Sequence, residues 1–116
     1  MTVEEIQDIC RQIPGVTEDI KWEHDLVFSI GKKMFFVVEL DQSPTIASFK
    51  VTDDEFEDIC NWTGFKPAPY VAKYKWVLIE DINNMKKPDW EKYIKQSYEL
   101  VKSRLPLKQR KQLGLE

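Results

Sequence analysis

The densest gathering of side chains able to hold a ligand is PAPYVAKYKW, residues 67–76, where Tyr70, Tyr74 and Trp76 alternate with Lys73 and Lys75 behind Pro67 and Pro69. Aromatic faces interleaved with lysines suit a nucleic acid, since bases stack on the rings and phosphates pair with the ammonium groups. The same stretch also runs straight into the apolar VLI of residues 77–79, as a loop feeding a core strand would. Trp76, at the mouth of that run, reads as a core anchor. Tyr70 and Tyr74 keep two readings: rings held beside Lys73 and Lys75 on a proline-stiffened platform, or rings sealing the edge of a sheet.

Other chemistry is poorly supplied. The five acids of TDDEFED (Asp53, Asp54, Glu55, Glu57 and Asp58) resemble a cation site, but acids in a first helical turn complement the helix dipole and face solvent. His24 is the single histidine, placed between Glu23 and Asp25 with no nucleophile beside it, and reads as a surface or strand-edge residue. Cys10 and Cys60 fall on apolar helical stripes, without a Cys-x-x-Cys pair or histidine partners for a metal, and read as small hydrophobes. Gly15, Gly31, Gly64 and Gly114 are too far apart to cradle a phosphate. We therefore expect no catalytic residue, no metal and no cofactor.

These residues must be positioned by one domain, because 116 residues suit a single core and 42% hydrophobic content suits a globular one. MTVEEIQDIC carries acids where a secretory signal needs bases, and no apolar run approaches a membrane span, so we expect a cytoplasmic protein with no membrane partner. The net charge of −3 conceals a division: residues 1–58 carry −9 and residues 59–116 carry +6.

The elements follow an α+β plan. Thr2 with Glu5 forms a capping box for a helix over about residues 3–13, ended by PG at 14–15, and a short linker follows. LVFSI (26–30) and MFFVVEL (34–40) are two strands joined at GKK, and TIASFKV (45–51) alternates as a third strand. Thr52 with Glu55 caps a second helix that Gly64 finishes. YKWVLIE (74–80) is a further strand candidate. Pro88 opens a last helix with Trp90, Tyr93, Ile94, Ser97 and Val101 on one face, Pro106 stops it, and LPLKQRKQLGLE trails beyond.

In their order and spacing, IPG (13–15), the set Phe28, Gly31, Lys33 and Phe35, SFKV (48–51), the set Pro67, Lys73 and Trp76, and SYELVKSRLPLKQR (97–110) resemble the MmcQ/YjbR family of small bacterial proteins. The resemblance spans nearly the whole chain. It implies a CyaY-like domain over residues 1–116, an antiparallel sheet packed against an N-terminal and a C-terminal helix, with a double-wing, DNA-binding-like architecture and no catalytic residue. Lys73 and Trp76 match the family's block; other members often carry histidine and asparagine where this chain has Tyr70 and Ala72. For a nucleic-acid role, the phosphate contacts expected are Lys73, Lys75, Arg104, Lys108, Arg110 and Lys111, with Tyr70 and Tyr74 stacking. The alternative is a protein-interaction module that uses the segregated charge to steer partners.

Overall fold

The computed structural model describes residues 1–115. Its N-terminal helix α1 (Val3–Arg11) begins at the expected capping box: the Glu5 amide donates to Thr2 Oγ1 at 3.2 Å and the Thr2 amide donates to Glu5 Oε1 at 3.1 Å. The helix buries Ile6 and Cys10. Beyond Gly15, whose φ of +78° turns the chain, the segment expected to be a linker is instead strand β1 (Val16–Lys21). Its pattern is faint for a physical reason. β1 lies at the sheet edge, and the residue facing Phe28 across the ladder is Glu18, which accepts from Arg11 Nε at 2.5 Å and Gln7 Nε2 at 3.1 Å on α1 rather than entering an apolar core.

Strands β2 (Asp25–Ile30) and β3 (Lys33–Glu39) form the expected hairpin around Gly31, and β4 (Ile46–Lys50) adds to β3. After α2 (Asp53–Cys60), which starts at the expected Thr52–Glu55 box, come a short strand β5 (Phe65–Pro67), a 3₁₀ turn (Ala72–Tyr74) and β6 (Trp76–Ile79). The sheet has six strands in the order β1-β2-β3-β4-β6-β5, every neighbouring pair antiparallel. β5 escaped the pattern reading because a three-residue edge strand containing a proline carries no periodicity.

One face of the sheet is covered by helices. Here Phe36 packs against Phe28, Phe49 and Trp90, with ring centroids 5.7–6.3 Å apart, and Trp90 Nε1 donates to Ile82 O at 2.9 Å. The long helix α3 (Lys87–Lys102) buries the predicted face of Trp90, Tyr93, Ile94, Ser97 and Val101. A bulge between β2 and β3 leaves Phe35 as an extra residue, so that Phe35 and Phe36, although consecutive, both enter this core. On the other side of β3 the ladder to β4 stops at Phe36 and Phe49, and Ser97 bridges the next position: its buried hydroxyl donates to Phe35 O at 2.6 Å and accepts from the Lys50 amide at 2.9 Å.

The C-terminal tail differs from expectation. Past Pro106 it forms a short helix α4 (Leu107–Gln112), pinned to the β2–β3 turn by Gln109 Nε2, which donates to Gly31 O at 3.0 Å, and by buried Leu105. No helix among the described residues is long and apolar enough to cross a membrane.

Candidate functional site

Antiparallel pairing carries the expected basic residues, and others, to one end of the strands. β2 ends and β3 begins at Lys32 and Lys33; β4 finishes at Lys50, opposite Trp76, where β6 starts; α3 finishes at Lys102 and hands on to Arg104 and α4. The side chains register this crowding. Lys50 Nζ donates to Tyr74 O, and its pKa lies below the ordinary lysine value, chiefly through burial and then through the nearby charge of Arg104. Lys73 Nζ rests 5.1 Å from the centre of the Tyr74 ring, and Lys75 Nζ lies 5.0 Å from that of Phe56. Lys108 and Lys111 are exposed on α4, whereas Arg110 is half-buried. Asp53 and Asp54, at the start of α2, share a hollow with Lys50 and Arg104 and bound the basic surface on that side. Lys32, Lys33 and Lys50 belong to this end but lie in the acidic half of the sequence, so charge counted along the chain did not find them.

The opposite end is acidic. The β1–β2 turn and the β3–β4 connection bring together Glu23, His24, Asp25, Glu39 and Asp41, with His24 Nδ1 at 2.8 Å from Asp25 and 3.4 Å from Asp41. The imidazole pKa is raised above its ordinary value, first by the hydrogen bond with Asp25 and then by the charge of Asp41. His24, Asp25 and Asp41 offer ligand atoms within 4.8 Å of one another, but the imidazole nitrogen already stands against both carboxylates, where a cation would sit. Glu39 has its pKa raised, foremost by burial and then by Asp25 and Asp41. Burial likewise pushes the Cys10 thiol up to about 12 and the Cys60 thiol in the same direction, so neither is a ready thiolate.

Between the two ends lies the sheet face that no helix covers. It carries a groove of about 520 Å³ with a floor of Met34, Val37, Ser48, Trp76 and Leu78, and Asp25 and Glu39 lie at the acidic end. Trp76 is a buried anchor, as expected, but it belongs to this second cluster with Ala68 and Leu78 and not to the helix-covered core. The walls are Trp22 and Tyr70, 63% and 98% exposed, both on left-handed backbone with φ of +51° and +68°. Tyr74 is 54% exposed, so neither tyrosine seals the sheet, but they part company: Tyr70 lines the groove and Tyr74 stands with Lys73. The groove was hidden from sequence reading because its floor takes residues from three strands, one of them bulged, and its walls come from two loops.

The model of the YjbR family matches residues 11–100. The chain belongs to the YjbR family. Among solved structures, this YjbR chain resembles a Deinococcus radiodurans protein, DR2400, which carries the DUF419 domain, with a TM-score of 0.88 at 24% identity, covering 99% of this chain and 89% of that one. A Pseudomonas syringae protein matches with a TM-score of 0.72 at 16% identity over 86% of this chain and 98% of its own. At these identities the likeness speaks for the fold. No curated protein matches at a significant level.

Proposed function

We propose that this YjbR domain is a non-catalytic binding module that touches nucleic acid weakly and without sequence preference through the basic end of its sheet. The observation that carries the reading is the convergence there of Lys32, Lys33, Lys75, Arg104, Lys108 and Lys111 from four separate parts of the chain, with Lys73 and Tyr74 alongside. A protein of net charge −3 repels a polyanion unless its charges are segregated; here Lys32, Lys33, Lys75 and Arg104 gather at one end of the strands, bounded by Asp53 and Asp54, while Glu23, Asp25, Glu39 and Asp41 gather at the other. Lysines read phosphate as point charges, so register and sequence are left unspecified.

The test is a titration with random-sequence duplex at about 50 mM salt, repeated as salt rises. With about four phosphates neutralised, the slope of log K against log salt is expected near −3.6. Reversing Lys33, Lys108 and Lys111 to glutamate, all exposed, should abolish binding and leave melting unchanged. Arg110 is a poor choice for reversal because it is half-buried. No binding in the ~1–100 μM range of non-specific binders, or binding indifferent to salt, overturns the reading.

A further inference from the structure

The uncovered groove has features that the basic end does not explain. Its floor is apolar, its two walls are large aromatics held out in water, and its one charged boundary is a pair of carboxylates. Glu39 has no hydrogen-bond or ion-pair partner among the described residues, although it is partly buried and stands near Asp25 and Asp41. His24 and Lys66 act on it from further off, but burial and the two neighbouring acids outweigh them, so its proton affinity is raised. Trp22 and Tyr70 add to the cost, since left-handed backbone at a bulky residue is strained and persists where the surroundings enforce it. The outcome is two exposed ring faces beside two anionic groups, which is the chemistry that holds a cation on an apolar stem.

We propose that this groove binds a partner polypeptide through one arginine or lysine side chain, its stem lying between Trp22 and Tyr70 and its cationic head meeting Glu39, beside Asp25, which His24 already holds. Charge complementarity selects the head, and the groove's shape selects a polypeptide over a free amine. The groove is open along the sheet and larger than a single basic side chain, and the rest of its floor, Met34, Trp76 and Leu78, is apolar. An apolar residue neighbouring the basic one covers that floor; a small amine leaves it wet. A nucleic acid is excluded from this face by the same carboxylates. The site is therefore independent of the basic end, and either can fail without the other.

The probe is an acetylated, amidated peptide with one arginine between two leucines, flanked by serine and glycine spacers, titrated into the ¹⁵N-labelled full chain. Saturable shifts are expected at the Trp22 and Trp76 indole N–H groups and at the amides of Asp25, Glu39 and Tyr70. Replacing the arginine by citrulline, which keeps shape and removes charge, should weaken binding about tenfold, as should Glu39→Gln; Tyr70→Ala should weaken it by several-fold with the melting temperature unchanged. Equal affinity for the citrulline peptide, shifts centred on α4 instead, or no saturable shift at millimolar peptide overturns the proposal. Concentration-dependent shifts of these same residues without peptide would identify a second copy of the chain as the occupant and overturn it as well.

Discussion

Ser97→Ala removes one oxygen and leaves two buried backbone groups, Phe35 O on β3 and the Lys50 amide on β4, without the partner that joins them. A buried donor or acceptor left unmet costs about 1–3 kcal/mol, so the pair should cost about 2–6 kcal/mol, offset by roughly 0.5 kcal/mol from alanine's better helix propensity within α3. Against a domain stability of roughly 5–15 kcal/mol the loss is large. At about 3 °C or more per kcal/mol for a chain of this size, thermal melting followed by circular dichroism should fall by at least ~5 °C. The control is Ser103→Ala, whose exposed hydroxyl only donates to Leu100 O, with an expected change within about 0.5 kcal/mol. Hydrogen exchange should also show faster exchange of the Lys50 amide in the Ser97 variant. If Ser97→Ala melts within ~2 °C of wild type, β3 and β4 close the gap unaided and the bridging role assigned to Ser97 is wrong.

Two further predictions concern the ends of the sheet. Gly31→Ala places a methyl at φ +57° and within 2.8 Å of Leu105 Cδ1 and 2.9 Å of Gln109 Nε2, so it should destabilise by about 1–3 kcal/mol and loosen α4, visible as faster amide exchange in residues 107–112. His24 should titrate above the ordinary histidine value of about 6.5, and Asp25→Asn should lower its midpoint. A raised folded-state pKa contributes stability that is fully present below the unfolded value and is lost as pH rises through the folded one. An NMR midpoint at or below 6.5, or one that ignores Asp25, contradicts the geometry of the acidic end.

What the sequence made legible was whatever repeats locally. Both capping boxes formed as read, because Thr2 with Glu5 and Thr52 with Glu55 satisfy helix-end amides within four residues. The face of α3 was legible because five side chains at helical spacing share one packing surface. Strand β1 was missed because an edge strand whose inward Glu18 pairs with Arg11 lacks apolar alternation, and α4 because six polar-rich residues owe their order to a distant glycine turn. The basic end was half legible: Lys73, Lys75, Arg104, Lys108 and Lys111 stood out in a basic stretch of chain, while Lys32, Lys33 and Lys50 joined them only through strand pairing. Of the groove only Tyr70 and Trp76 stood out, since its walls, Trp22 and Tyr70, are separated by 47 residues of chain and its floor is assembled by strand pairing.

The proposed nucleic-acid contact at the basic end of the sheet is open to a direct test. The most direct measurement is a ¹H–¹⁵N titration of the full chain with a short random-sequence duplex at about 50 mM salt. Shifts confined to Lys32, Lys33, Lys73, Lys75, Arg104 and α4, reversed by added salt, are the expected result. Shifts that instead centre on Trp22, Tyr70 and Glu39, or none at up to about 100 μM duplex, would contradict it.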